Sequence, residues 1–383
     1  MNFEPFLLDR WISQIEARQR GVGWDMASST GPGLTLNELL ELVGDPTALE
    51  SLLGMRLTYA PMDGGEELRH EIAQAEGVEA HHVQVVTGAA EGLLILFALA
   101  AEPGANVVLP KPDFPAMTAV ARGFGLEVRH YLLDPRSGFR CDPEAVAGLC
   151  DAHTRIVLIN SPHNPTGAVI GEPETRWLHD FCEQRGVSFV CDQVYHPIYY
   201  GEVRATAAAL PGAIVLGDCS KALCLSGLRV GWIVDRDPER RERRLDARGY
   251  FTISNNIIGE ALALHAVRHR APILARARRI AERNIGLLDD FFARHRDTFG
   301  WVRPQGGFTA FPWLRDGSDA TAICQAVGAR GVGVVPGVCM GAPAHFRVGF
   351  GASGDRFVEG LAAFEAFLET WPALRAPVPA GGG

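Results

Sequence analysis

Apolar residues near the start fall at helical spacing, with Phe6, Leu7, Trp11 and Ile15 on one stripe. A turn-rich loop, SSTGPG at 28–33, closes that segment. Short apolar runs then alternate with helical patterns. Strands are predicted at 83–86, 106–110, 127–133, 155–160, 188–192, 214–216 and 230–234. Helices are predicted at 89–101, 115–123 and 172–184. Several of the strand runs, 155–160 above all, are largely apolar rather than alternating, as expected when both faces of a sheet are covered. They predict an α/β fold with a mostly parallel sheet. After residue 255 the pattern becomes one long helical region through 294. A compact α+β segment follows, with strands near 307–311 and 346–350 and a last helix at 354–370.

This organisation predicts a large central domain at 46–285. An N-terminal arm at 1–45 joins a small domain completed by 286–375, and 376–383 is read as a disordered tail. The 383 residues are 47% hydrophobic and 21% charged, ordinary for a globular protein able to bury a sizeable core. A formal net charge of −9 argues against nucleic acid or an anionic membrane as partner. Two arginine-dense stretches, 236–248 and 268–283, are therefore read as solvated helix faces with Glu/Arg pairs. The eight cysteines form no CxxC and no His/Cys cluster has zinc-like spacing, so no metal is expected and the thiols are read as reduced, in a cytoplasm. No signal-peptide layout and no apolar run of membrane-spanning length is present.

The segment DCSKALCLSGLRVGW (218–232) is the first with candidate chemistry. Lys221 can form an imine with an aldehyde cofactor if its amine is kept neutral. Arg229, a fork-shaped cation, suits a phosphate dianion. Thr87-Gly88-Ala89-Ala90 stands between a strand and a helix, where small residues let backbone N–H groups approach a phosphate. Asn164, in NSPHNPTG, follows another strand, at the sheet end where ligands of such folds sit. Asp192 ends a further strand; a buried carboxylate there wants a cation, which a protonated pyridine nitrogen would supply. Tyr195 lies three residues on. His163 and His196 flank these positions and are read as loop supports, and Cys219 and Cys224 as small buried residues.

The order glycine-rich loop, NPTG, DxxY, SK and GxR resembles the class I/II aminotransferases of pyridoxal-5′-phosphate (PLP) fold type I, from Ser28 to about Thr370. The resemblance implies a PLP enzyme acting on an L-amino acid, with Lys221 holding the internal aldimine and then serving as base at Cα. It implies Asp192 at the pyridine nitrogen, Asn164 and Tyr195 at the ring oxygen, and Phe114 stacked on the ring. Gly88, Ala89, Ala90 and Arg229 become the phosphate cup, and Arg347, with Asn164 and Gly31, meets the substrate, its α-carboxylate on Arg347. Tyr59 matches a tyrosine that reaches the phosphate of a partner subunit, which implies a homodimer with shared active sites. One position departs from the pattern. Asp218 stands where Ser, Thr or Gly is usual, so its carboxylate is expected to turn away from the phosphate or to be compensated.

The same residues serve transamination and elimination, because the electron sink is common to both. An aminotransferase is the leading expectation. The stretches 27–42, SPHNPTGA, SGLRVGW, GGFTAFP and GVVPG are similar to the capreomycidine synthase branch, whose enzymes cyclise a hydroxylated arginine. Elimination or cyclisation therefore stands as the alternative. A regulator carrying a DNA-binding domain ahead of this fold fits poorly, since only about 25 residues precede the resemblance.

Overall fold

The computed structural model describes residues 4–18 and 23–371; the tail expected to be disordered, 376–383, lies outside them. Seven strands form the central sheet: β1 (Val83–Val86), β2 (Asn106–Lys111), β3 (Glu127–Leu132), β4 (Thr154–Asn160), β5 (Ser188–Asp192), β6 (Ile214–Asp218) and β7 (Gly231–Val234). Their spatial order is β1-β7-β6-β5-β4-β2-β3. All neighbours are parallel except β7, which runs antiparallel to both β1 and β6.

Residue alternation explains why the central runs are largely apolar. In β4, Ile156 and Leu158 enter one core while Val157 and Ile159 enter the other. In β6, Ile214 and Leu216 point one way and Val215 the opposite. Neither face meets water, so a polar residue at any of these positions would carry an unpaired group into the core. Register also sets the site. Asn160 pairs with Asp192, and Asp192 with Leu216, so the carboxyl ends of β4, β5 and β6 lie side by side.

Early and late segments of the described chain pair with each other. The two-residue strand Trp24–Asp25 runs parallel to Val332–Gly333. Strand Phe346–Gly349 is central in a three-stranded antiparallel sheet with Thr309–Ala310 and Val335–Pro336.

The pattern errs in three instructive places. In helix α1 (Leu7–Arg18) the buried residues are Leu8 and Ile15, with Trp11 half-buried, whereas Phe6 and Leu7 are exposed. The buried stripe thus starts at Leu8. Helix α2 (Ala89–Ala100) follows β1 as expected. Helix α3 (Pro238–Phe251) carries the first arginine-dense stretch, but one side of it is not solvated. Arg244 and Arg248 are buried, because Asp235 and Glu91 supply interior carboxylates, Arg248 lying 3.6 Å from Glu91. The long helical region is two helices, α4 (Ile257–Arg268) and α5 (Arg270–Arg294), broken at His269. Pro272 has no N–H to donate back to the preceding turn, so a continuous helix is interrupted there.

Candidate active site

The cleft at the carboxyl ends of the parallel strands is open to solvent, with about 690 Å³ of space in it and at its mouth. Asp192 ends β5 and is buried, its carboxylate accepting only the Val194 N–H at 3.2 Å among the described residues. No cation pairs with it there. Burial pushes this carboxyl up to about 7, against the hydrogen bond that favours its charged form. A buried acid without a cation is a strained arrangement that a bound positive group relieves.

Lys221 follows β6 by three residues and points into the same cleft. Its Nζ donates to Ser29 Oγ at 3.1 Å. Burial pulls the amine down to about 8, with Asp218 acting in the opposite direction. A minority, about a fifth, is therefore neutral near pH ~7.4, far more than for an ordinary lysine, as a nucleophile or base requires. Tyr195 donates its hydroxyl to the Ser29 carbonyl at 3.0 Å, and burial raises its phenol to about 12, so it remains a donor.

Arg347 lies on strand Phe346–Gly349 and is 1% exposed. Its Nη1 donates to Asn164 Oδ1 at 3.1 Å and its Nη2 to the Ala27 carbonyl at 2.8 Å. Nε has no partner, and no carboxylate of the described residues forms an ion pair with it. Such a guanidinium calls for an anion from outside the chain. The bond to Asn164 also orients that amide, whose backbone N–H is held by Asn160 Oδ1 at 2.8 Å.

At the opposite wall stand Ala89 and Ala90, the first residues of α2, together with Ser220, Ser226 and Arg229. Gly88 has φ +75°, and a Cβ there would lie 2.5 Å from Arg229 Nη2, so only glycine leaves the cup open. Arg229 itself adopts a left-handed backbone, φ +52°, and donates through Nη1 to Ser220 Oγ and the Ser226 carbonyl, each at 3.2 Å. That conformation costs on the order of 1 kcal/mol and aims the guanidinium at the cup.

Phe114 also lines the cleft, with Phe6 packed edge-on against it at 6.1 Å. Two anticipated residues stand elsewhere. Gly31 packs under Cys224 and Phe308, where a Cβ would come within 2.3 Å of Sγ; Ser29, two residues earlier, is the one that meets Lys221. Tyr59 is 81% exposed and outside this chain's cleft. Ser29 and Ser220, in loops, and Asn160, at the end of β4, escaped sequence reasoning because single serines and asparagines carry no periodic signal. His163 and His196 bond within their own loops, to Thr166 at 2.8 Å and Tyr199 at 3.1 Å. Cys219 and Cys224 are buried.

Asp218 does not turn away from the cup. Its carboxylate accepts the Ala89 N–H at 2.8 Å and the Ser220 N–H, so it occupies one amide, that of Ala89, expected to meet a phosphate.

A cup formed by the start of α2 with Arg229, an unpaired buried carboxylate and a poised lysine at the carboxyl ends of the central strands define a site for a phosphorylated, cationic aldehyde cofactor. The profile of aminotransferase class I and II matches residues 29–358, and the chain belongs to this family. It is 30% identical over 353 residues to capreomycidine synthase of Streptomyces vinaceus, with 90% of each chain covered. A PLP-dependent aminotransferase from Streptococcus suis has a TM-score of 0.88 at 25% identity, covering 97% of this chain and 99% of that one. The PLP-dependent cyclase OrfR has a TM-score of 0.86 at 28% identity, covering 98% and 99%. The protein is an enzyme of PLP fold type I, and pyridoxal 5′-phosphate is its cofactor. The cup, the uncompensated Asp192 and the depressed Lys221 amine all fit that group.

Proposed function

We propose that the enzyme acts on an L-α-amino acid, removing the Cα proton with Lys221 and transferring the amino group. The observation that carries this reading is the convergence of Lys221 with two buried charges of opposite sign, Asp192 and Arg347, neither paired within the described chain. Bound PLP supplies an aldehyde that joins primary amines reversibly and a ring that accepts an electron pair. Asp192 holds the proton on the ring nitrogen. Arg347, having fixed the Asn164 carbonyl oxygen, leaves the Asn164 amide hydrogens for the ring oxygen, beside the Tyr195 hydroxyl. Phe114 covers the ring face. Gly88, Ala90 and Arg229 would hold the phosphate, beside Ala89, whose N–H goes to Asp218. Arg347 takes the substrate α-carboxylate by two parallel bonds, which aligns the Cα–H with the Lys221 amine. Ser29 positions that amine when it is free.

Arg347→Gln is expected to raise KM for amino acids roughly 10–100-fold, since a charged hydrogen-bonded contact contributes about 1.5–3 kcal/mol. Steady-state kinetics on the acid and on its amide check this. An equal KM for both in the wild type would contradict the clamp.

The exposed apolar residues Leu53, Leu57, Tyr59 and Tyr250 support a homodimer in which Tyr59 reaches the phosphate of a second copy. Eight unpaired cysteines support a reducing, cytoplasmic setting.

A second reading, elimination or cyclisation of a hydroxylated arginine or related amino acid, is favoured by the likeness to capreomycidine synthase and OrfR. Single-turnover mixing with a panel of amino acids including hydroxyarginines, without added oxo acid, separates the two. Pyridoxamine phosphate and a 2-oxo acid are expected. A dehydrated or cyclised product with PLP retained would select the second reading.

A further inference from the structure

We infer that the cup binds the cofactor's phosphate as a monoanion that shares its proton with Asp218. The inference rests on the PLP assignment and concerns only the phosphate end of the site. Asp218 is 7% exposed and lines the cleft with Ala89, Ser220 and Arg229. Its two oxygens already accept the backbone N–H groups of Ala89 and Ser220, the first at 2.8 Å. An ionised carboxylate offers acceptors only, and so does a phosphate dianion. Brought into one cup, the two must either repel or hold a hydrogen between them.

The charges nearby do not remove the conflict. Arg229 is the cation of the cup, and its Nη1 is spent on Ser220 and Ser226. Asp218 acts to raise both Asp192 on β5 and Lys221 on its own loop, since its charge disfavours the one's anion and favours the other's cation. Tyr195 and Cys219 face it as neutral groups. From α2, Glu91 turns its carboxylate to Thr87 and Thr252, so it adds no donor. The positive end of α2 helps either anion, but its leading amide is already taken by Asp218. A phosphate monoester loses its second proton near about pH 6 in water. Retaining that proton lowers the charge of the pair by one and supplies the missing donor.

The test compares PLP with pyridoxal, which shares the ring and aldehyde but lacks the phosphate. Both are titrated into the full-length protein from about pH 6.5 to 8.5, with binding read from visible absorption. The ratio of the Kd for PLP to that for pyridoxal cancels the titration of Lys221 and of the ring. It is expected to rise about tenfold per pH unit above pH ~7 in the wild type, the slope of one retained proton. In Asp218→Asn, and in Asp218→Ser, the ratio is expected to be flat. The phosphorus resonance of the loaded wild-type protein is expected at the monoanion position, moving to the dianion position in either variant. A flat wild-type ratio with a dianion resonance and intact visible absorption would overturn this inference alone. Absence of visible absorption with either aldehyde would overturn the Lys221 reading together with it.

Discussion

Lys221→Ala is expected to lose the visible absorption band of the PLP-loaded protein and to fall at least 10,000-fold in turnover. General-base catalysis alone contributes roughly 100- to 10,000-fold, and the variant also loses its covalent hold on the cofactor. No neighbouring amine can replace it. The chain has two lysines, and the other, Lys111, is tied to Asp113 at 2.7 Å. The pH dependence follows from the lowered amine. Because burial brings Lys221 to about 8, its neutral fraction grows as pH rises toward and through that value. Cofactor capture by the unloaded protein should accelerate up to about pH 8 and then level off. Stopped-flow absorption at a series of pH values checks this; a rate still rising steeply beyond pH 9 would contradict a buried, depressed amine.

Asp192→Asn is expected to reduce turnover roughly 100- to 1,000-fold, the usual consequence of removing one preorganised electrostatic group from a reacting centre. Asparagine cannot hold a proton on the ring nitrogen by charge. The same substitution should act in the opposite direction on the unloaded protein. Burial raises Asp192 from its ordinary value to about 7, so between pH ~4 and ~7 the folded state binds more protons than the unfolded one. Stability therefore falls as pH rises through that window, by on the order of 2–4 kcal/mol. Asparagine carries no such dependence. Thermal unfolding of unloaded protein should show the variant more stable than wild type at pH 7.5 and the gap closing toward pH 4. With PLP bound, the order should reverse, because only aspartate gains from the cationic ring. A variant less stable than wild type at pH 7.5 without cofactor would mean that Asp192 is already compensated.

The large sheet was legible because apolar runs such as TRIVLIN at Thr154–Asn160 leave no exposed face to disguise them. Short helices were less so. Ala48–Leu53 and Thr321–Gly328 hold one or two turns each, too little for a period to show. The buried side of the arginine-rich helix was hidden because charge reads as solvent exposure until its partners are known. Asp235 and Glu91, which take Arg244 and Arg248 inside, lie far from some of their partners in sequence. At the site, the residues that carry charge or a motif, Lys221, Asp192, Arg229 and Arg347, could be named from the chain. Ser29 could not, since nothing in SSTGPG reveals that it will close over Lys221 from 192 residues away. The orientation of Asp218 was equally hidden. The amides at the start of α2 draw it inward, a pull that the motif alone does not reveal.

The central claim is that Lys221 carries the cofactor, and the two-lysine sequence makes it unusually direct to test. Borohydride reduction of the PLP-loaded wild-type protein, followed by peptide mass spectrometry, locates the attachment. The reduced cofactor is expected on the peptide containing Lys221, with none on Lys111. Attachment at Lys111, or none at all in a protein that retains its visible absorption, would contradict the account.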